Sequence, residues 1–486
     1  MDVCTLVRRS AQRFGPRIAI EDDKRSLSFA QLDIRTRRLA NGLLSLGLRP
    51  GDRVLDLQHN QCSYVETDLA CMAAGLVRVA LNHRLHPSDW DRIAADCDAR
   101  GIIYDPEYAE RAKSLIDGLD VSLPIDEQYE WLILHNATGD RVTGDLVSLN
   151  YTSGTTGNPK GVRRAHSNRI ASLTNMTIDV LGGLPGPDDV YLHAGPITHT
   201  SGLFVLPFLA AGAKQLIHRS FDEAAAIEAV TERGVTHTAL VPTMVVRLLA
   251  AGGPRLEGLK MLGYAGAPLP PEKIRQAREQ ITANLVQYYG LVEAIPPVTI
   301  LDAADHALGV TERPELLSSV GRPGTLVELR VVDEDGRELP AGEIGEVVTR
   351  GPHVMSGYWS AGDTLKAVRD GWLHTGDLGR LDERGRLWLV DRKGDMIITG
   401  GYNVYPREIE EVLAEVPGVD DVAVFGVDDP EWGQRVTAAF TGTAEITELE
   451  SHCRDRLASY KKPKQIRKLD AFPLNSTGKI DKRALR

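Results

Sequence analysis

The chain has few cysteines, few aromatic residues and no long apolar run. It contains 5 cysteines among 486 residues, without a Cys-x-x-Cys pair, and only 6% aromatic residues. An odd number of scattered cysteines excludes a disulfide framework and is typical of thiols kept reduced in a cytosol. The longest apolar stretch, residues 203–213, is interrupted by Pro207 and is too short to cross a bilayer. We therefore expect a cytoplasmic protein without a membrane span.

The chain also has fewer basic than acidic residues. The 56 Lys and Arg residues are outnumbered by 67 Asp and Glu residues, which gives a formal net charge of −11. Because no basic stretch offsets this charge, nucleic acid is excluded as a partner. The 13 histidines show no metal-ligand spacing. The first 15 residues carry three arginines but no apolar core, so they do not form a secretory signal. Small molecules are the expected partners, for a chain that is a monomer or a homodimer.

The length and the residue pattern predict an α/β fold with more than one domain. A capping box at residues 28–31 starts an amphipathic helix that Gly47 and Pro50 end, and residues 52–56 then form a strand. Helix and strand patterns alternate to about residue 315, which predicts a large N-terminal body of layered α/β sheets. Residues 321–390 contain strand patterns at 327–332 and 345–349 and turns at Gly336 and Gly385, so they predict a small β module.

The α/β pattern resumes after residue 391. Pro406 opens a predicted helix, and residues 421–425 form a predicted strand. We expect an N-terminal body over residues 1–393 and a smaller, mobile α+β C-terminal domain over residues 394–486.

The most informative segment is Tyr-Thr-Ser-Gly-Thr-Thr-Gly-Asn-Pro-Lys-Gly at residues 151–161. It follows a predicted strand at residues 146–149, and it offers backbone N–H groups, hydroxyls and one ammonium without side-chain bulk. Such a loop suits a polyphosphate. The spacing differs from that of the common nucleotide-triphosphatase loop, because Pro159 precedes Lys160 and Gly161 follows it. The segment predicts a phosphate loop of another kind, the alternative being an ordinary flexible turn.

This segment resembles the phosphate loop of the adenylate-forming superfamily, which includes acyl-CoA synthetases, peptide-synthetase adenylation domains and luciferases. Five further segments resemble family motifs in the expected order: residues 263–268, 287–293, 375–377, 391–395 and 473–479. The resemblance extends from residue 27 to residue 479 and is closest to acyl- and aryl-CoA ligases. It implies an acid–thiol ligase that uses ATP, Mg²⁺ and CoA.

The resemblance implies nucleotide contacts in both halves of the chain. The expected ATP-binding residues are Thr152, Ser153, Gly154, Thr155, Thr156, Gly157, Lys160, Gly266, Ala267, Pro268, Gln287, Tyr288, Tyr289, Gly290, Val292, Asp377, Arg392 and Lys479. Within this set, Tyr289 is expected to stack on adenine and Asp377 to accept the ribose hydroxyls. Glu293 and Thr155 are the expected Mg²⁺ ligands. Taken alone, Glu293 would be read as a surface residue, Tyr289 as a core tyrosine and Asp377 as a turn residue.

The resemblance also implies the catalytic, acyl, CoA and hinge residues. Lys479, Glu293 and His199 are expected to be catalytic. The acyl pocket is expected to contain His199, Thr200, Gly202, Met244, Tyr264, Ala265 and Gly266, and CoA to contact Arg163, Arg164, Gly400, Gly401, Lys461 and Lys462. Lys393 and Gly394 are the expected hinge. A core histidine is the alternative for His199.

Three positions separate this chain from its relatives. Thr200 stands where amino-acid-activating relatives carry an aspartate, so an α-amino acid substrate is not expected. Val292 replaces the usual threonine, whose hydroxyl normally donates to the α-phosphate at roughly 1 kcal/mol. Gly394 replaces the usual Asp or Lys of the hinge, and glycine accepts many backbone angles.

We therefore expect activation of an aryl, arylpropenoyl or medium-chain acid to an acyl-adenylate, followed by transfer to CoA. Two alternatives remain at this stage. One is an adenylate-forming enzyme with a carrier protein or an amine as acceptor, or with an unusual oxyacid such as nitrite. The other is a nucleotide-binding protein without catalytic activity.

Overall fold

A computed structural model describes residues 2–139, 144–152, 159–359, 364–365, 367–399, 402–430, 432–474 and 480–486, without the side chains of Asn403 and Asp455. The chain divides into two compact units. Unit 1 contains residues 1–329 and 349–373, and unit 2 contains residues 330–348 and 374–486. The predicted α/β fold class is confirmed. The predicted boundary at residue 393 stays a prediction.

Unit 1 alternates helices and strands over most of its length. Among its described residues, the helices α1–α12 are Val3–Phe14, Phe29–Ser45, Cys62–Ala73, Pro87–Asp96, Lys113–Gly118, Glu127–His135, His166–Asn175, Val205–Ala211, Glu223–Thr231, Pro242–Ala251, Pro271–Gln280 and Ala303–Thr311. Short helical turns lie at Pro106–Tyr108, Met176–Val180, Thr200–Phe204 and Pro314–Ser318. Its strands β1–β15 are Ile18–Glu21, Ser26–Ser28, Arg53–Leu57, Val77–Ala80, Ala99–Tyr104, Val121–Pro124, Leu146–Thr152, Lys160–Ala165, Val190–His193, Lys214–Ile217, His237–Leu240, Met261–Tyr264, Leu285–Leu291, Ala294–Leu301 and Arg322–Pro323.

Among the described residues, these strands form two large sheets. The first has the order β6-β5-β3-β4-β7-β8, and all its pairings are parallel except β7 with β8. The second has the order β15-β14-β13-β12-β11-β9-β10-β1-β2, with parallel pairing from β13 to β1. In parallel sheets, the strands end at a common edge, where loops carry functional side chains. The predicted capping box is confirmed, because Ser28 and Gln31 cap α2 reciprocally.

The following strands are β16 at Glu328–Val332, β17 at Gly345–Arg350, β18 at Val368–Arg369, β19 at Trp372–Leu381 and β20 at Leu387–Arg392. Within unit 1, β18 pairs with the start of β19, and within unit 2, the rest of β19 pairs with β20. The predicted strands at 327–332 and 345–349 are confirmed to within one residue. Gly336 and Gly385 have φ of +80° and +73°, as the predicted turns require.

The described residues in the remainder of unit 2 form a mixed sheet and two longer helices. Its strands β21–β25 are Ile397–Thr399, Tyr402–Val404, Val419–Asp429, Gly433–Gly442 and Gln465–Lys468; its helices are α13, Pro406–Ala414, and α14, Ile446–Arg456; a short turn lies at Ser459–Lys461. The long hairpin β23–β24 and the two helices bury a core that includes Val424, Phe440 and Leu449. The helix predicted at Pro406 and the strand predicted at 421–425 are confirmed.

Candidate active site

Strands β7 and β8 form the hairpin that carries the predicted phosphate loop. They pair antiparallel, and Thr152 lies opposite Lys160 at the open end of the pairing. Five predicted phosphate ligands between these two residues, Ser153, Gly154, Thr155, Thr156 and Gly157, lie outside the described residues. The structure therefore shows the two ends of the loop held side by side, with a hydroxyl on one strand and an ammonium on the other.

The glycine that follows Lys160 is required by close packing. A Cβ atom at Gly161 would lie 2.9 Å from Cζ of Tyr151. The carbonyl oxygen of Gly161 also accepts a 2.7 Å hydrogen bond from the backbone N–H of Trp359. A larger side chain at position 161 would therefore have to displace the ring of Tyr151 at the base of the phosphate loop.

A tyrosine that the sequence did not single out connects Lys160 with Glu293. The ammonium of Lys160 lies 5.4 Å from the ring centroid of Tyr358, which is within the range of a cation–π contact. The hydroxyl of Tyr358 donates a 2.8 Å hydrogen bond to Oε1 of Glu293. Tyr358 is buried, with 9% of its surface exposed. The phosphate-loop lysine and the predicted Mg²⁺ ligand are thus linked through one side chain.

The backbone around Tyr358 bridges the same two regions. Residues 354–359 form isolated β-bridges to β8 through Val162 and to β14 through Ala294. The N–H of Met355 donates to the carbonyl oxygen of Glu293 over 2.8 Å. The sequence placed this segment in the β module and gave no signal that singled out Tyr358. Its contacts place it in unit 1.

Strand β13 carries the predicted adenine-stacking segment. Gln287 and Tyr288 are buried, at 7% and 1% exposure, whereas Tyr289 is half-buried. Alternation along the strand turns Tyr288 away from its neighbours and into the core, where its ring meets Phe204 at 6.1 Å between centroids. Of the two tyrosines, only Tyr289 has an accessible ring in this structure. A Cβ atom at Gly290 would lie 2.8 Å from Pro296, so the turn excludes larger residues.

The segment after β12 places its predicted residues in two environments. Tyr264 and Ala265 are buried, and the Tyr264 hydroxyl lies 2.8 Å from Nε2 of His306. Tyr264 is therefore part of the core and supports the strand end. Gly266 and Pro268 are exposed, Ala267 is half-buried, and Gly266 has a φ of +91° that favours glycine. Met244, in the first turn of α10, is half-buried.

His199 is exposed, so the alternative of a core histidine is wrong for this structure. It lines a cavity of about 60 Å³ together with Gly202, Arg164 and Ile295. Its Nε2 lies 3.5 Å from Nδ2 of Asn82, and the next residue, Thr200, is half-buried. A Cβ atom at Gly202 would lie 2.1 Å from a backbone carbonyl oxygen, so only glycine fits there.

The two predicted CoA-binding arginines on β8 have different surroundings. Arg163 pairs with residues 356–357 through its backbone, since its N–H donates to the carbonyl oxygen of Gly357 over 2.9 Å. Nη2 of Arg164 donates to the carbonyl oxygen of Val292 over 3.0 Å. The structure therefore places Arg164 beside the position where the usual threonine is replaced.

In unit 2, the structure brings two predicted ATP-binding residues, Asp377 and Arg392, together. Asp377 lies opposite Arg392 in the pairing of β19 with β20, and Nε of Arg392 is 3.0 Å from Oδ1 of Asp377. Asp377 is 5% exposed, whereas the Arg392 side chain is 54% exposed. The position of the Asp377 carboxylate is thus set by the strand pairing and by the ion pair with Arg392. Such an ordered carboxylate is suited to accept hydrogen bonds from the two hydroxyls of a ribose.

The predicted hinge residues follow directly on β20. Nζ of Lys393 lies 3.3 Å from Oε2 of Glu346, and the backbone N–H of Lys393 donates to the carbonyl oxygen of Gly376 over 2.8 Å. Gly394 has no positive φ, and a Cβ atom there would meet nothing within 4 Å. The observed conformation therefore does not itself require glycine at position 394.

The predicted CoA-binding lysines of unit 2 are already engaged. Nζ of Lys461 lies 2.6 and 2.7 Å from the two carboxylate oxygens of Glu408, and Nζ of Lys462 donates to the carbonyl oxygen of Arg454 over 3.1 Å. Gly400, Gly401 and Lys479 lie outside the described residues.

The described residues contain no cluster of three or more His, Cys, Asp or Glu side chains that could hold a metal ion by themselves. Glu293 nevertheless fits a Mg²⁺ ion that arrives with a nucleotide. Such an ion uses only one or two protein carboxylates and takes its other ligands from phosphates and water. Tyr358 occupies one oxygen of Glu293 and leaves the carboxylate further acceptor sites. No helix in the described part of the chain has the length and apolar character to cross a membrane.

Comparison with known families gives two matches. Residues 7–359 match the AMP-binding enzyme family, and residues 408–479 match the AMP-binding enzyme C-terminal domain. The chain is 38% identical to a feruloyl-CoA synthase of Amycolatopsis sp over 99% of this chain and 97% of the relative.

Solved structures with the same fold cover nearly the whole chain. The o-succinylbenzoate CoA synthetase of Bacillus subtilis with its acyl-adenylate intermediate has a TM-score of 0.89 at 28% identity, covering 99% of this chain and 97% of that protein. The same synthetase with ATP and magnesium ion has a TM-score of 0.86 at 28% identity, covering 98% of both chains. The amide bond synthetase of Marinactinospora thermotolerans has a TM-score of 0.89 at 31% identity, covering 100% of this chain and 99% of that protein.

Proposed function

The chain belongs to the AMP-binding enzyme family, and from this membership we propose that it is an AMP-forming ligase that joins a carboxylic acid to CoA. The observation that carries the proposal is the extent of the similarity. It covers both family domains and 99% of the chain, against a relative that is a CoA synthase. A non-catalytic nucleotide-binding protein has no support in these comparisons.

The first step activates the acid. A carboxylate oxygen attacks the α-phosphorus of ATP, the bond to the bridging oxygen breaks, and pyrophosphate leaves with the bonding electrons. Catalysis of this transfer consists mainly of positioning and of neutralising negative charge. Thr152 and Lys160 hold the β- and γ-phosphates at the ends of the β7–β8 hairpin, and the half-buried ring of Tyr289 supports the adenine.

Glu293 would hold Mg²⁺, which supplies charge neutralisation on the phosphates. The hydrogen bond from Tyr358 fixes the orientation of this carboxylate. In unit 2, Asp377 binds the ribose hydroxyls, with Arg392 holding its carboxylate. Lys479 binds the reacting carboxylate and the α-phosphate during adenylation.

The second step transfers the acyl group to the thiol of CoA, with release of AMP. We place Gly400 and Gly401 beside the thiol and Arg163, Lys461 and Lys462 at the phosphates of CoA. Lys461 is held by Glu408, so it would have to exchange this carboxylate for a phosphate oxygen. His199, at the mouth of the cavity, lines the acyl end of the path. Lys393 and Gly394 would allow the C-terminal domain to change its orientation between the two steps.

An aryl or arylpropenoyl acid is the proposed substrate. The supporting observations are the name of the feruloyl-CoA synthase and the core behind the acyl segment. That core is filled by stacked aromatic rings, with Tyr191 and Phe204 at 4.7 Å between centroids. Four of the five cysteines are buried as free thiols, which supports a location in the cytoplasm.

The test is release of pyrophosphate from ATP over a panel of acids, with and without CoA. The panel contains ferulate, an arylacetate, 2-succinylbenzoate and a medium-chain fatty acid. We expect one turnover without CoA, continuous turnover with CoA, and a thioester that mass spectrometry identifies. The exposed Glu343 provides the control, because Glu293→Gln should stop turnover and Glu343→Gln should not. Continuous turnover with an amine but not with CoA would instead favour amide formation.

A further inference from the structure

The cavity behind His199 is strongly charged. Three arginines line it, Arg78, Arg164 and Arg169, but only one carboxylate, Asp68. Asp68 forms an ion pair with Nη1 of Arg78 at 3.1 Å and another with Nη2 of Arg169 at 2.8 Å. Burial acts to raise the pKa of Asp68, but the two arginines outweigh it and leave this pKa below its ordinary value. Arg78 also contacts the buried Asp56. Arg78 and Arg169 are therefore each paired with at least one carboxylate.

Arg164 is the cation that lacks such compensation. No carboxylate of the described residues forms an ion pair with it, and its Nη2 donates only to the carbonyl oxygen of Val292. Its Nε is shielded from solvent and has no hydrogen-bond partner in the described part of the chain. Burial and the charge of Arg169 lower the pKa of Arg164 to about 9, because the opposing charges of Glu293 and Asp68 offset them only in part.

Shielding part of a cation from solvent without an ion pair is costly, and such groups cluster at functional sites. Arg164 lies on β8, four residues beyond Lys160. Because side chains alternate along a strand, Lys160 and Arg164 occupy the same face. Its hydrogen bond to the carbonyl oxygen of Val292 places the guanidinium next to the position where relatives carry the threonine hydroxyl. The guanidinium offers more donors than the one carbonyl oxygen uses.

We propose that Arg164 binds the reacting oxyanion, where the carboxylate of the acid meets the α-phosphate, and replaces the hydroxyl that Val292 lacks. The assignment rests on the proposed function and moves Arg164 from the CoA contacts to the adenylation step. In that step, the new bond joins a carboxylate oxygen to the α-phosphorus and pyrophosphate leaves, so no proton transfer is needed. A fixed cation is suited to this reaction because it neutralises negative charge without donating its proton.

The experiment is a double-mutant cycle that compares the adenylation rates of the wild type, Arg164→Gln, Val292→Thr and the double variant. We expect Arg164→Gln to slow pyrophosphate release in the absence of CoA by about 10- to 100-fold, the range of a lost hydrogen bond to a charged group. The KM for CoA and the equilibrium binding of a fluorescent ATP analogue should stay within about twofold of wild type. Val292→Thr should accelerate the Arg164→Gln protein more than the wild type, because the two donors serve one oxyanion.

Two further variants separate this role from a structural one. Arg164→Lys keeps the charge and should retain more adenylation activity than Arg164→Gln at equal melting temperature. Arg278→Gln is the matched control, since Arg278 is also half-buried, donates to a backbone carbonyl oxygen over 3.1 Å and has its pKa lowered by burial and by Arg255. Its adenylation rate should equal that of the wild type.

Distinct results would overturn the proposal. A raised KM for CoA with an unchanged adenylation rate would assign Arg164 to CoA. Strictly additive effects of the two substitutions would show that they serve different groups. Weakened binding of the ATP analogue, with an unchanged KM for the acid, would assign Arg164 to the phosphates before reaction and not to the carboxylate. Absence of adenylation in the wild type with every acid would instead contradict the proposed function itself.

Discussion

At the residue scale, a single tyrosine links two predicted site residues in unit 1. Tyr358 donates to Glu293 while its ring faces the ammonium of Lys160. These two contacts can be removed separately. Phenylalanine keeps the ring and loses the hydroxyl, whereas leucine loses both. Tyr358 is therefore expected to act as a positioning residue for the Mg²⁺ ligand.

We predict that Tyr358→Phe raises the Mg²⁺ concentration needed for half-maximal binding of a fluorescent ATP analogue. A hydrogen bond to a carboxylate is worth about 1.5–3 kcal/mol, but the ring and backbone still restrain Glu293, so we expect about a three- to tenfold shift. Binding at saturating Mg²⁺ should change little. Tyr358→Leu should weaken binding at every Mg²⁺ concentration, because Lys160 also loses its contact.

The matched control is Tyr129→Phe. The Tyr129 hydroxyl is buried in another core region. Its removal should leave the Mg²⁺ dependence unchanged. If Tyr358→Phe and Tyr129→Phe behave alike, the hydroxyl of Tyr358 does not position Glu293.

At the element scale, β9 carries a histidine that is neutral in the folded protein. His193 is 0% exposed, and its two ring nitrogens lie 2.8 Å from Oγ of Ser201 and 2.9 Å from Oε1 of Gln215. Burial lowers the pKa of His193 to about 4, whereas an unfolded histidine titrates near 6.5. Between these values, the unfolded chain binds more protons, so the free energy of unfolding falls as the pH falls.

We predict that His193→Gln makes the acid side of the stability profile shallower. One such histidine contributes up to about 1.4 kcal/mol per pH unit, or about 3 kcal/mol over the window from 6.5 to 4. Urea unfolding of the full chain at pH 7, 6 and 5 measures how steeply the free energy of unfolding depends on pH. His237, His306 and His353 have pKa values lowered to about 4 in the same way, so part of the slope should remain. An unchanged slope would show that His193 is not titrated on unfolding.

The segment after β20 provides a second prediction at this scale. Gly394 has an ordinary φ and open space at its Cβ position, so Gly394→Ala should leave both half-reactions within about twofold of wild type. Gly394→Pro locks φ and restricts Lys393, and it should impair one half-reaction at least about tenfold more than the other. Pyrophosphate release without CoA and thioester formation from preformed adenylate measure the two steps. Equal losses in a folded protein would place the hinge elsewhere.

At the scale of the whole molecule, the proposed reaction draws residues from both units. Thr152, Lys160 and Glu293 belong to unit 1, whereas Asp377 and Lys479 belong to unit 2. This use of residues from both units can be tested without disturbing the fold of either unit.

We predict that Lys479→Ala slows adenylation by at least about 100-fold, because it removes a cation from the reacting carboxylate and α-phosphate. Equilibrium binding of the ATP analogue should stay within about threefold of wild type. Thioester formation from preformed acyl-adenylate should also persist, since that step has no phosphoryl transfer. Lys482→Ala is the control, because Lys482 pairs with Glu410 at 2.7 Å. Near-normal pyrophosphate release by Lys479→Ala would remove this lysine from the mechanism.

The sequence by itself determined the features that depend on local patterns. Capping at Ser28 and Gln31, the helix that begins at Pro406 and the turns at Gly336 and Gly385 follow from hydrogen bonds and backbone angles within a few residues. The order of its motifs also determined the family, which the comparisons confirm.

The tertiary structure decided which side chains meet. The contact of Tyr358 with Glu293 spans 65 residues, and that of Arg164 with Val292 spans 128 residues. Neither follows from periodicity, because the pairing of residues 354–359 with β8 and β14 depends on long-range packing. The same packing turns Tyr288 into the core and leaves Tyr289 accessible, although the two are adjacent in the motif. Burial and proximity are properties of the folded chain, and they leave Arg164 at the cavity without an ion pair among the described residues.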